Sequence, residues 1–227
     1  VFDPEEDLHG DNADCWTGTR AVTLRVARRD RDVDYRVEGV RRHVVQASEA
    51  ENSGGAVVAR DCVFNVPAAK LLSGVNDPEI GYVLFDEDDA DKQWTILRTD
   101  LASAASRWRL TCRNLAITDG LADTIEIWSP TNRKDVAGGN VGAFLPRHMG
   151  VQAKVFEVRG DDADQHGRSG TVLEYRVVVG RRLYVDSNDQ VRWVKPGEPP
   201  TVLEVLSHEG AERLGELQTI VCRRGMW

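Results

Sequence analysis

Cysteine is scarce and scattered. The four residues Cys15, Cys62, Cys112 and Cys222 stand far apart in 227 residues, with no Cys-x-x-Cys pair and no histidine group close by. That spacing argues against a zinc site and does not set up a disulfide scaffold. Three of the four lie in apolar, strand-like runs, where cysteine serves as a small buried hydrophobe, and folding in a reducing cytoplasm is the simpler expectation. Long apolar runs are missing too. None approaches the roughly 18 residues of a membrane-spanning helix, so no membrane partner is expected. Basic charge is also in short supply, with 29 Lys and Arg against 37 Asp and Glu and a net charge of −8. A domain whose main work is gripping phosphate backbones carries a basic surface. An acidic wall instead repels phosphates and lets a nucleic acid move past without sticking.

Motifs of catalysis are lacking as well. No Gly-x-Ser-x-Gly or other recognisable nucleophile motif surrounds any serine or cysteine, and a relay through one of the five histidines would need a partner brought close by the fold. Gly138-Gly139-Asn140-Val141-Gly142 lacks the Lys-Ser/Thr that completes a phosphate-binding loop. The run Asp86 to Asp91 lacks the ligand order, the sixth-position glycine and the twelfth-position glutamate of a calcium loop, and reads as a solvated hairpin tip. Asp161, Asp162, Asp164 and His166 read as a polar loop. No catalytic residue, metal or cofactor is expected.

What the chain does have is β signal. Short runs rich in Val, Ile, Leu and Thr recur, including Ala21–Val26, His43–Ala47, Tyr82–Phe85, Trp94–Arg98, Trp108–Cys112, Thr124–Trp128, Gln152–Val158, Arg182–Val185, Thr201–Leu206 and Leu217–Cys222. Several alternate apolar and polar residues, as half-buried strands do. Turn formers separate them. Helical signal is confined to short turns, Leu101–Ser106 and Glu209–Leu214.

The pattern repeats. Trp94-Thr95-Ile96-Leu97-Arg98 followed by Trp108–Arg113 is echoed by Thr201–Val205 followed by Leu217–Arg224, each closing on Cys-Arg. The two cysteines stand 110 positions apart (222 − 112), and Thr95 and Thr201 stand 106 apart (201 − 95), so the second link is expected to be four residues longer. The expectation is an all-β, mainly antiparallel chain of two tandem small barrels or sandwiches of similar topology: a flexible arm over 1–14, a first unit over 15–117 and a second over 121–227. In the second unit a hairpin is expected to begin at Leu183 and turn at Asp186–Gln190.

One segment stands apart. Ser129–Met149 shows no clear strand, and carries Arg133, Lys134, Arg147 and His148 around Gly138, Gly139, Phe144 and Leu145. A long irregular loop in a compact domain is usually functional or disordered, so these eight residues are candidates for contact with a partner.

The runs Glu174–Val179, Arg182–Val185, Val202–Leu206 and Glu216–Arg223 together resemble the head–tail joining (stopper, or head-closure) proteins of tailed bacteriophages, and Trp94–Arg98 with Arg107–Arg113 repeats the same closing design. Members of that family have one such unit; here it is doubled. The resemblance implies a non-enzymatic β-barrel that assembles as a homo-oligomeric ring in the virion neck, made in the bacterial cytoplasm. Its partners would be portal-side and tail proteins, with double-stranded DNA passing through without specific binding. Six chains of two barrels each would match a twelvefold portal to a sixfold tail. The alternatives are another phage tail-tube, tail-completion or baseplate barrel, a non-viral two-domain β binding module, and a hydrolase with scattered active-site residues.

Overall fold

The computed structural model describes residues 16–53, 58, 60–71, 77–87, 89–102, 107–134, 140–158, 174–209 and 217–225. The expected N-terminal arm, Gly138, Gly139, the Asp161–His166 loop and most of both expected helical turns lie outside them. In chain order the strands are β1 (Trp16–Ala27), β2 (Asp32–Val44), β3 (Cys62–Pro67), β4 (Val83–Asp86), β5 (Asp89–Leu101), β6 (Arg107–Arg113), β7 (Asp123–Lys134), β8 (Asn140–Val158), β9 (Glu174–Val179), β10 (Gln190–Val194), β11 (Thr201–Glu209) and β12 (Gln218–Arg224). Three short helices intervene: α1 (Ala47–Asn52), α2 (Ala68–Leu71) and α3 (Leu115–Asp119).

The strands close into two six-stranded barrels. Around the first the order is β1-β2-β3-β6-β5-β4, and around the second it is β7-β8-β9-β12-β11-β10. Adding six to each strand number turns one into the other. Closure leaves neither sheet with a free edge.

The register repeats in detail. Cys112 lies opposite Ile96, and Cys222 lies opposite Val205. In both hairpins the earlier strand then skips one residue, so that the next pairs are Thr111 with Arg98 and Val221 with Ser207. A bulge bends a strand and sharpens its twist, which a tight barrel needs at its corners. On the other side Cys112 faces Cys62, and Cys222 faces Tyr175. The bulge also corrects the alignment read from sequence. Thr95 corresponds to Glu204, an offset of 109 (204 − 95), so the link to the closing strand is one residue longer in the second unit and not four. Runs of alternating residues look alike at several offsets. A shift of three, however, would turn every side chain to the opposite face.

Inward positions fill both interiors with side chains, as barrels of this size require. Val22, Leu24, Phe64, Leu84, Ile96, Leu110 and Cys112 are buried in the first. Ile125, Ile127, Val151, Val177, Val179, Val191, Leu203, Ile220 and Cys222 are buried in the second. The described thiols are free and buried. Burial pushes the Cys222 thiol up to about 12 and raises Cys62 and Cys112 as well, which suits packing and not nucleophilic chemistry.

Three expectations need correction. Ser129–Met149 is not an irregular loop: β7 and β8 pair along it as far as Lys134 opposite Asn140. Leu183–Val185 is not a strand. Both residues are buried, but the amide of Leu183 donates to Gln218 Oε1 at 2.8 Å and its carbonyl accepts from Gln218 Nε2 at 3.2 Å, so one side chain takes the bonds a neighbouring strand would make. The strand of that region is β10, and its hairpin with β11 turns at Lys195–Gly197, where Gly197 adopts φ +78°. Finally, the run His43–Ala47 is divided: His43 and Val44 end the long strand β2, and Ala47 begins α1.

Two compact units result. One is Asp34–Asn114 with the chain before Val26; the other is Val26–Val33 with Leu115–Trp227. The division of the main chain therefore falls at the start of α3, between Asn114 and Leu115.

Candidate functional site: a hairpin arm and two polar locks

The β7–β8 hairpin outruns its barrel. The neighbour β10 accompanies β7 only to Trp128, and β9 accompanies β8 only from Ala153 onward. Beyond Trp128 the two strands pair with each other through Ser129–Leu145, Pro130–Phe144, Thr131–Ala143, Asn132–Gly142, Arg133–Val141 and Lys134–Asn140. At about 3.4 Å per residue the ribbon reaches roughly 20 Å past the sheet. Thr131 Oγ1 donates to the Ala143 carbonyl at 2.9 Å and ties the two strands together. Leu145 and Met149 are large and exposed, Leu145 at 50%. Arg133 and Lys134 occupy the last register positions.

Arg147 and His148, read with that segment, do a different job at its base. Arg147 Nη1 donates to Asp186 Oδ2 at 3.1 Å, Asp189 Oδ2 at 3.0 Å and the Tyr184 carbonyl at 3.2 Å, so it clamps the segment before β10. His148 has no exposed surface. Its Nδ1 lies 2.7 Å from Asp32 Oδ1, while Arg181 Nη2 donates to Asp32 Oδ2 at 2.8 Å. All three residues belong to the second unit. The His148 Nε2 is buried and has no hydrogen-bond partner among the described residues. A general base must reach its substrate, and this ring faces only protein.

Burial by itself would raise the Asp32 carboxyl. The His148 hydrogen bond and the Arg181 charge outweigh it and hold the group below its ordinary value of 3.8. A carboxylate depressed in the folded state contributes stability that is fully present above its unfolded value and is lost as pH falls through the folded one. The lock therefore holds at neutral pH and fails only in strong acid, below pH 3.8. Asp32→Asn is expected to destabilise the second unit by about 3 kcal/mol at pH 7, since it removes the carboxylate charge that His148 and Arg181 share. The variant should also flatten the acid limb of the stability profile, as read by urea melts from pH 2 to 7. Equal stability of variant and parent at pH 7 would remove Asp32 from this role.

The first barrel has a lock of its own. Asp86 is fully buried and receives Arg20 Nη1 and Arg42 Nη1, the latter at 3.1 Å. The Arg42 guanidinium lies 4.6 Å over the Trp94 ring, a cation–π contact that further fixes it. The register places Asp123, Trp193 and Val155 of the second barrel at the positions of Arg20, Asp86 and Arg42. There Trp193 Nε1 donates to Asp123 Oδ1 at 3.1 Å and the Val155 amide donates to Asp123 Oδ2 at 2.8 Å. The same three positions tie the same three strands in both barrels, with different chemistry. Sequence reading missed both locks, because each gathers single residues from strands far apart in the chain. The one clue was a charged residue at an inward position.

The acidic run Asp86–Asp91 does fall at the β4–β5 turn, although its first member faces the core. Glu87, at the same turn, pairs with exposed Arg36 at 2.6 Å. Among the described residues no group of three or more His, Cys, Asp or Glu comes together as metal ligands, and no helix is long and apolar enough to cross a membrane. No family model, curated protein or solved structure matches the chain.

Proposed function

We propose that the chain is an architectural protein of a tailed-phage virion, a neck component that joins the portal side of the head to the tail and helps retain packaged DNA. The observation that carries this reading is the pair of closed barrels with one strand order and one bulged closing hairpin. That hairpin is built from the residues whose pattern resembles the head–tail joining proteins. Both interiors are packed with side chains, and polar groups that enter them are spent on locks between strands. Such a chain does its work through its outer surface. The net charge of −8 suits a ring wall past which DNA slides, since like charge disfavours sticking.

Loss of the gene in the phage that encodes the chain tests the reading. DNA-filled heads and complete tails should accumulate unjoined, and a reconstruction of the intact virion should hold the chain between portal and tail. Joined, infectious particles lacking the chain would overturn it.

A further inference from the structure

We propose that Cys62 and Cys112 are the two halves of a cross-strand disulfide, a redox staple placed in the first barrel. The inference concerns a covalent modification within one unit and is independent of the place assigned to the chain in a virion.

Three observations carry it. First, the two residues stand 50 positions apart in the chain (112 − 62), and the register sets them directly opposite one another on β3 and β6. Opposite residues on antiparallel strands point to the same face. Their Cα atoms are about 5.5 Å apart in a hydrogen-bonded pair and about 4.5 Å apart in the other kind. Both values fall within the span of about 4.4 to 6.8 Å that a disulfide bridges, so neither strand has to move. Second, both side chains face the interior. Cys62 and Cys112 are buried, as are Phe64 and Leu110, the next opposed pair on the same face. Both thiols are free. Third, the repeat accounts for one cysteine of the pair and not for the other. Cys112 and Cys222 are counterparts, which packing explains in both barrels. The counterpart of Cys62 is Tyr175, so Cys222 has Tyr175 on one side and Val205 on the other. Only the first barrel sets a second thiol against the closing cysteine.

Forming the bond removes two electrons, and a small-molecule disulfide supplies the oxidant. One cysteine thiolate attacks the small disulfide and releases one small thiol. The other cysteine then displaces the second small thiol and closes the S–S bond, and the two cysteine protons leave on the two released thiols. Burial raises both cysteine thiols, Cys112 well above its ordinary value, so exchange inside the closed barrel is slow. The bond therefore forms as the barrel folds or opens, and the same burial then protects it. A chain folded in a reducing compartment keeps both thiols. One that folds or opens among oxidants gains a closed loop in the first unit, which restricts its unfolded state.

The test is refolding of the full chain with oxidised glutathione or with an excess of reduced thiol, followed by blocking of free thiols, digestion and mass mapping. In the oxidised sample the Cys62 and Cys112 peptides should be joined as the main disulfide, with Cys222 blocked as a free thiol. The first unit's melting transition, identified as the one that Leu24→Ala lowers, should lie roughly 10 °C higher in the oxidised sample than in the reduced one. Cys62→Ala and Cys112→Ala should each abolish that difference. Each variant is compared with itself, oxidised against reduced, so any loss of packing cancels, and the mapping of the unchanged chain needs no variant. Three results would each overturn the staple: Cys62 and Cys112 both blocked as free thiols after oxidative refolding, a preferred link of either to Cys15 or Cys222, or a joined pair whose unit melts no higher than the reduced one.

Discussion

Asp86→Ala should cost the first unit about 3 to 5 kcal/mol, because two guanidinium groups lose the buried carboxylate they share. In a unit of this size that is a fall in melting temperature of roughly 12 °C or more. The second unit has its own buried core and should keep a separate transition, lowered by no more than the Asp32 lock contributes, about 3 kcal/mol. The comparison that isolates the charge effect is the triple change Arg20→Met, Asp86→Leu, Arg42→Met. Replacing a whole buried ionic cluster with apolar residues of similar volume is often neutral. Calorimetry should therefore find the triple variant close to the parent and the single variant far below it. A single variant as stable as the parent would show that Asp86 bears no structural charge role.

Leu24→Ala and Ile127→Ala should behave as twins. The register puts these two residues at equivalent inward positions, opposite Leu84 and Val191. Both are buried in their barrels, Leu24 at 1% exposure and Ile127 at 0%. Deleting a large aliphatic side chain from a packed core costs about 2 to 5 kcal/mol, part transfer and part cavity. Each change should lower the transition of its own unit by that amount and leave the other within about 0.5 kcal/mol, as separated sites do. Chemical denaturation followed by fluorescence and by calorimetry reads both transitions. Loss of both transitions together in either variant would contradict two separate cores.

The strand content was legible because alternation is a property of local sequence. Val22, Leu24 and Val26 or Ile125 and Ile127 announce a face without help from the rest of the chain. The doubling was legible for the same reason: the closing hairpins repeat a local pattern that ends in Cys-Arg. What failed was whatever depends on a partner elsewhere. Leu183 and Val185 alternate like a strand, but Gln218 takes the backbone bonds of Leu183. In strand β2 the φ of +77° at Gly39 breaks the alternation, so that Val37 and Val40 are buried three apart; the poor helix propensity of Gly39 and the valines still favoured a strand there, and the structure has one. The arm was hidden by Pro130 and its glycines, residues that speak against a central strand and are at home on a ribbon with open sides. The eight candidate residues consequently separate. Phe144 and Leu145 lie on the arm; Arg133 and Lys134 hold its last paired positions; Arg147 and His148 belong to its foundations.

Cross-strand nuclear Overhauser contacts along the two closing hairpins test the doubling most directly. They should place Cys112 across from Ile96 and Cys222 across from Val205, with the same one-residue slip immediately after each. Contacts that run through β11 and β12 without that slip, or that set Cys222 against any other residue of β11, would mean that the second barrel is not a copy of the first.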